Sequence, residues 1–184
     1  MPYTLVHVPE IDRSAINAFR GAYDPYVDAL DAHITLVFAT PEVVGEEAFI
    51  AHCGMVLAGW QPFDIHLYGL ARSWDNWLFL TLQEGRSDVI RLSQALYTGL
   101  LAPYYRPDIP MEPHISLGLF TQAGAGYDLR APSVVAFDAP RYEQALREAE
   151  TLHLDYRCRA TRMLVVRLTD DLKGGTPLCE LPLA

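Results

Sequence analysis

Two copies of a short histidine motif are the residues of this chain best suited to chemistry. His33-Ile34-Thr35-Leu36 recurs as His114-Ile115-Ser116-Leu117. Each copy begins a run of β-branched and apolar residues that predicts a strand, in which residues i and i+2 share a face. Each copy therefore presents one imidazole and one hydroxyl side by side on the polar face of a strand.

The same alternation assigns the neighbouring side chains to faces. In the first copy, Ile34, Leu36 and Phe38 are expected to point into the core. In the second copy, Gly118 and Phe120 are expected on the polar face, and the buried face is expected to hold Ile115, Leu117 and Leu119. Phe120 is thus a candidate for stacking on a base, and packing in the core is the alternative, because the strand could end before it.

Two imidazoles and two hydroxyls suit a phosphodiester if they meet in one cleft. Imidazoles with pKa values near 6.5 can act as a base and an acid, one neutral and one protonated. The hydroxyls of Thr35 and Ser116 can donate hydrogen bonds to phosphoryl oxygens, where negative charge grows during the reaction. This scheme needs neither a metal ion nor a cofactor, and no zinc-binding spacing accompanies the histidines.

A single histidine–hydroxyl pair in a strand is usually structural, but two copies in equivalent elements favour a function. His7 alternates with Tyr3 and Leu5 on the first strand, so His7 and Tyr3 could line the same cleft, although an ordinary partly buried histidine is the commoner case. Three further histidines have no matching partner and are predicted to be structural: His52, His66 and His153.

Periodicity along the chain predicts about four helices and seven strands, in the order β-α-β-α-β followed by β-α-β-α-β-β. We therefore expect an α+β fold in which two duplicated units bring antiparallel sheets around a central cleft, with helices outside. No linker separates the units, which predicts one domain over residues 1–184 made of two pseudo-symmetric lobes, approximately 1–75 and 76–184. Residues 121–133 are predicted to form a long loop that is functional or mobile.

Composition excludes several classes of protein. The 184 residues are 51% hydrophobic and carry a net charge of −9, with no apolar run long enough to span a membrane and no pattern typical of a signal peptide. Three widely spaced cysteines suit a reducing, cytoplasmic setting. The acidic balance disfavours a grip on long nucleic acids, so a small nucleotide or a short RNA end is the expected partner. Nothing in the sequence indicates an oligomeric state.

The paired motifs resemble the H-x-[T/S]-x signatures of the 2H (two-histidine) phosphoesterase superfamily, nearest to its 2′-5′ RNA ligase-like and cyclic phosphodiesterase branches. Pro113 before His114 and the final hairpin pattern over residues 162–183 add to the resemblance. It implies a bilobal α+β fold and metal-independent chemistry at 2′,3′-cyclic phosphates or 2′-5′ linkages. It also implies catalytic roles for His33 and His114 and phosphate contacts for Thr35 and Ser116.

The function we expect is hydrolysis of a 2′,3′-cyclic phosphate on a ribonucleotide or short RNA end. The alternatives are a 2′-5′ RNA ligase, a 2′-5′ phosphodiesterase, and a module that binds a nucleotide without turnover. Basic residues near the cleft are few. Arg130 is the candidate substrate contact among them, beside two further loop arginines, Arg72 and Arg106.

Overall fold

The computed structural model describes all 184 residues as four α-helices, eight strands and two short 3-10 turns. The helices are α1 (Ser14–Tyr23), α2 (Glu46–Leu57), α3 (Arg86–Leu96) and α4 (Ala139–Thr151). The strands are β1 (Tyr3–His7), β2 (Ile34–Thr40), β3 (Phe63–Arg72), β4 (Trp77–Leu82), β5 (His114–Leu119), β6 (Asp155–Ala160), β7 (Arg162–Leu168) and β8 (Gly175–Pro182).

All eight strands form one antiparallel sheet in the order β6-β3-β4-β5-β2-β1-β7-β8. This confirms the α+β class, with one continuous sheet in place of separate ones. The strand that the sequence did not predict is β6, in which exposed Asp155, Arg157 and Arg159 alternate with half-buried residues. Charged side chains are typical of an edge strand, where they discourage pairing with another chain. Because they replace the apolar residues that normally mark a strand, β6 could not be recognised from its sequence.

The sheet divides at its centre, between β2 and β5. One half contains β2, β1, β7 and β8, and the other contains β5, β4, β3 and β6. These halves differ from the predicted division at residue 75, because residues 63–72 pair with β4 and residues 162–168 pair with β1. Position in the chain therefore does not decide which half a strand belongs to, because β7 pairs with β1 and β8 pairs with β7.

The helices cover one face of the sheet. The main core of 32 buried residues contains inward-facing side chains from all four helices, such as Phe19, Phe49, Leu92 and Ala145. The opposite face carries only two small apolar clusters, built from strand residues and from the loops around Tyr26 and Leu129. That second face, free of helices, is the one that presents the histidine motifs.

The ladder between the two central strands consists of a single residue pair, Ile34 with Ile115. The helices connect the two halves crosswise, because α1 packs on β5 and α3 packs on β2. The Ser93 hydroxyl donates to the Leu36 carbonyl at 2.7 Å, and the Tyr97 hydroxyl accepts from the Phe38 amide at 2.9 Å. Each motif strand is thus held by the helix that precedes the other motif.

Candidate active site

The two motifs lie side by side at the centre of the sheet. Because β2 and β5 run antiparallel with Ile34 opposite Ile115, the pairing continued by one residue places His33 opposite Ser116 and Thr35 opposite His114. Both isoleucines are fully buried in the core, so the four polar side chains share the face without helices. A pseudo-twofold axis therefore passes between the isoleucines. Strand geometry separates the two imidazoles by one diagonal of the ladder, about 7 Å between their Cβ atoms.

A β-bulge follows the hydroxyl residue in each motif. In β2, Leu36 is the extra residue between the pairs Val6–Thr35 and Leu5–Val37. In β5, Leu117 is the extra residue between Phe79–Ser116 and Leu78–Gly118. The repetition of this irregularity at the same motif position supports the duplication, and each bulge changes which face the later residues occupy.

The bulges correct the predicted faces beyond the motifs. Phe120 lies outside β5 and is fully buried in the core against Tyr23 and Tyr142, so it cannot stack on a substrate. Leu119 packs with Phe79 on the histidine face. Phe38, expected in the core, is 47% exposed. Simple alternation fails at these positions because one extra residue reverses the order of faces.

Both imidazoles are oriented in the same way. The Nδ1 atom of His33 lies 2.7 Å from the Asp31 carbonyl oxygen, and Nδ1 of His114 contacts the Glu112 carbonyl oxygen. A carbonyl only accepts, so each neutral ring carries its proton on Nδ1 and presents the lone pair of Nε2. Thr35 and Ser116 are both partly exposed, and neither hydroxyl makes a hydrogen bond within the protein, so both remain available to a ligand.

The surroundings of the two histidines differ. The ring of Phe79 stacks on His114 with 3.4 Å between ring centroids and 15° between planes. On the other side of the axis, Val6 occupies the position opposite Thr35 that Phe79 occupies opposite Ser116. His33 instead lies near the buried Arg20–Asp24 ion pair, whose atoms approach to 2.9 Å. The motif sequences alone did not indicate this asymmetry.

Burial lowers the pKa of both histidines to about 4. For His33, loss of hydration is the main cause, reinforced by the charges of Arg20 and His114 and opposed by the hydrogen bond to Asp31. For His114, loss of hydration is again the main cause, opposed by the hydrogen bond to Glu112. Both rings are therefore neutral at pH 7, and the predicted pair with one protonated ring requires a bound anion to favour protonation.

The low pKa values predict that acid destabilises the fold. An unfolded histidine titrates near pH 6.5, so between pH 6.5 and 4 the unfolded chain binds more protons than the folded one. Stability is then fully present above pH 6.5 and falls as the pH drops towards 4, by up to about 1.4 kcal/mol per pH unit for each histidine. Urea titrations at a series of pH values measure this slope.

The matched control is the double variant His33→Gln/His114→Gln, which keeps every other titrating group. Its stability should depend less steeply on pH between 6.5 and 4 than that of the wild type. Equal slopes in the two proteins would show that the two histidines keep ordinary pKa values in the folded chain.

Two other residues predicted for the cleft lie elsewhere. Tyr3 is buried in the main core, where its ring lies 5.8 Å from Phe49 of α2. His7 is 2% exposed, and its register partner Ile34 faces the helices, so His7 faces them as well. Alternation along β1 correctly predicted that His7, Leu5 and Tyr3 share a face of the sheet. That face is the one opposite the motifs.

The arginine candidates have varied positions. Arg130 is exposed in the loop after β5, next to Leu129, whose side chain packs over the histidine face. Arg72 lies 3.6 Å from the centre of the Phe137 ring, and Arg106 pairs with Asp108 at 2.7 Å. Of the three arginines, only Arg130 follows directly on a residue that packs on the histidine face. Its contact with a substrate stays a prediction.

The long loop between β5 and α4 forms a wall near His114. The Tyr127 hydroxyl donates to the buried carboxylate of Asp75 at 2.8 Å and accepts from the Trp77 indole at 2.8 Å. Trp77 in turn packs with Phe79, the ring under His114. The sequence indicates the loop but not this anchor, because Asp75 and Tyr127 are distant in the chain.

No three His, Cys, Asp or Glu side chains come close enough together to hold a metal ion. None of the helices is both long and apolar enough to cross a bilayer.

The fold and the paired motifs define a class of protein, the two-histidine phosphoesterases. The chain belongs to the 2′-5′ RNA ligase superfamily of this class, whose family model matches residues 8–170. It is accordingly a phosphoesterase enzyme. No curated protein matches the chain.

Several solved structures share the fold over nearly the whole chain. Escherichia coli LigT complexed with 3′-AMP aligns with a TM-score of 0.61 at 15% identity, covering 100% of this chain and 99% of that one. TT0787 of Thermus thermophilus gives 0.60 at 19% identity, with 100% and 98% covered. Kluyveromyces marxianus Usb1 with uridine monophosphate gives 0.52 at 14% identity, with 99% and 98% covered.

Proposed function

We propose that this protein hydrolyses the 2′,3′-cyclic phosphate of a ribonucleotide or short RNA end without a metal ion. The observation that carries the proposal is the placement of two imidazole–hydroxyl pairs on one face of the sheet, across the Ile34–Ile115 pair. The two imidazoles are diagonal neighbours on this face, with about 7 Å between their Cβ atoms, so a group as small as a phosphate can lie within reach of both rings. The ligands named with LigT and Usb1 are small nucleotides, which are similar in size to the proposed substrate.

In the proposed reaction, the Nε2 lone pair of one histidine removes a proton from water. The resulting hydroxide attacks phosphorus, and a bond from phosphorus to one ribose oxygen breaks. The second histidine, protonated on Nε2, donates that proton to the leaving oxygen. The enzyme thus ends with the proton on the opposite histidine, and exchange with solvent restores the starting state.

The hydroxyls of Thr35 and Ser116 donate hydrogen bonds to the two non-bridging oxygens. Negative charge on these oxygens increases as phosphorus becomes five-coordinate, so the bonds are stronger in the transition state than in the substrate complex. The bound phosphate anion also favours the protonated form of the nearer imidazole, which counters the burial that lowers both pKa values to about 4.

The test is a product assay in EDTA with the four nucleoside 2′,3′-cyclic phosphates, in parallel with 2′-5′ and 3′-5′ dinucleotides. We expect turnover of the cyclic phosphates to a single nucleoside monophosphate, unchanged by EDTA. Turnover of 2′-5′ dinucleotides alone would instead support the 2′-5′ phosphodiesterase or ligase alternative. Tight nucleotide binding with no turnover of any substrate would leave only a binding module.

Removing either hydroxyl should slow the reaction. Thr35→Val and Ser116→Ala each remove one donor to the phosphoryl oxygens, and we expect kcat/KM to fall by about 10- to 100-fold for each. Thr35→Ser and Ser116→Thr are the matched controls, because they keep the donor, and they should stay within about threefold of wild type. If the conservative variants lost as much kcat/KM as Thr35→Val and Ser116→Ala, the effect would come from the methyl group or from packing and not from the hydroxyl.

A further inference from the structure

An acidic residue precedes each motif histidine by two positions, and its peptide carbonyl orients the ring. Asp31 precedes His33 and Glu112 precedes His114. In both copies the carbonyl oxygen accepts the hydrogen bond from Nδ1–H. The position of these two peptide groups therefore decides where each Nε2 atom points.

The carboxylates of the same two residues are held by arginines. The Asp31 carboxylate accepts from Arg13 through Nε at 2.9 Å and Nη2 at 2.8 Å, and also from the Asn17 amide. The Glu112 carboxylate accepts a bidentate pair from Arg86, with Nε at 3.1 Å and Nη2 at 2.7 Å. The planar contact of Arg86 with both carboxylate oxygens fixes orientation better than a single charge contact. In the first copy both Arg13 nitrogens contact Oδ2 of Asp31, and the Asn17 amide holds Oδ1, so this carboxylate is also fixed at both oxygens.

The two arginines occupy equivalent places in the duplicated fold. Arg13 immediately precedes α1, and Arg86 is the first residue of α3. These are the helices that lead into the two motif strands. His33 lies 20 positions after Arg13 and His114 lies 28 positions after Arg86, yet in both copies an arginine at the start of the helix holds the carboxylate two residues before the histidine. An arrangement retained across loops of unequal length points to a shared role.

We propose that Arg13–Asp31 and Arg86–Glu112 are positioning ion pairs, which fix the peptide carbonyls that aim the two catalytic imidazoles at the phosphoryl group. The inference rests on the proposed two-histidine function. Both pairs are partly exposed, with between 26% and 45% of each side chain accessible, so each adds little to overall stability. Their effect is geometric, because acid–base catalysis falls steeply when a catalytic group is misplaced.

The central experiment is a double-mutant cycle at one pair. Arg86→Gln, Glu112→Gln and the double variant are compared with wild type for kcat and KM on a nucleoside 2′,3′-cyclic phosphate. We expect each single variant to lower kcat by about fivefold to tenfold with KM within about twofold, and the double variant to be no slower than the singles. The charge reversal Arg86→Glu/Glu112→Arg restores the pair with opposite polarity and should recover most of kcat.

A spectroscopic readout separates positioning from a general structural effect. Imidazole ¹⁵N NMR at pH 7 should show the Nδ1–H form alone for His114 in wild type and a mixture of tautomers in Arg86→Gln. The control is Arg157→Gln, which removes a more exposed ion pair with Glu84 near the edge of the sheet. This control should change neither the spectrum nor kcat.

Two results would overturn the inference. One is a wild-type tautomer and wild-type kcat in both single variants. The other is a change of kcat in opposite directions for Arg86→Gln and Glu112→Gln, which would show that the carboxylate acts through its charge on His114. If wild type itself turns over no substrate, the proposed function fails, and the tautomer measurement still decides whether the ion pairs position the rings.

Discussion

Replacing either motif histidine with alanine is expected to lower kcat for a nucleoside 2′,3′-cyclic phosphate by about 10²- to 10⁴-fold. His33→Ala removes one proton acceptor or donor, and His114→Ala removes the other. In the proposed mechanism the two rings act on opposite sides of one phosphorus atom, so the loss of one already interrupts the proton path. The double variant should therefore be only slightly slower than the slower single variant.

The control for these variants is His66→Ala. His66 is paired with Asp155 at 2.7 Å near the edge of the sheet, and it lies outside both motifs. It should keep wild-type turnover. Phosphate-analogue binding, measured by calorimetry, shows whether the inactive variants still fold and bind. Near wild-type kcat in either His33→Ala or His114→Ala would refute the two-histidine mechanism.

Placing a side chain at Gly118 is expected to destabilise the fold by about 3 kcal/mol. A Cβ atom built there would lie 2.6 Å from Cβ of Tyr23 and 3.0 Å from the ring of Phe120. Tyr23 cannot move away freely, because it lies in α1, the helix that packs on β5. Both Gly118→Ala and Gly118→Val should therefore lower the melting temperature, by about 10 °C for a chain of this size.

The valine variant separates two arguments. Val37 occupies the position after the bulge in the first copy that Gly118 occupies in the second. Repeat similarity alone would predict that Gly118→Val is harmless, whereas the close approach of α1 predicts a large loss. Gly21→Ala is the control within α1, because no atom lies within 4 Å of the added methyl group, and it should raise stability by about 0.5–1 kcal/mol. Unchanged stability of Gly118→Val would contradict the close packing.

The face that each motif residue occupies could be predicted from the sequence, because only local geometry was needed there. Residues two apart in a strand share a face, so parity alone placed His33 with Thr35 and His114 with Ser116. The prediction held up to the first irregularity. One extra residue in each strand, Leu36 or Leu117, then reversed the faces, and no property of a leucine marks it as a bulge.

The residues around the motifs could be predicted only in part. Acidic residues two positions before each histidine are visible in the sequence, and their repetition was a usable signal for Asp31 and Glu112. The stack of Phe79 on His114 depends on which strands are neighbours, which hydrophobic periodicity does not determine. The expectation that His7 and Tyr3 line the cleft failed for the same reason. Alternation along β1 shows which of its residues share a face, but not whether that face is the one that carries the motifs.

The strand order also determines when each half of the sheet can be completed during synthesis. The half with His114 is built from β3, β4, β5 and β6, all within residues 63–160. The half with His33 needs β7 and β8, which extend to residue 182, although His33 itself is synthesised before every strand of the other half. Until those strands arrive, the outer edge of β1 has no partner and is exposed to pairing with other chains. The motif histidine that is translated first thus belongs to the half of the sheet that is completed last.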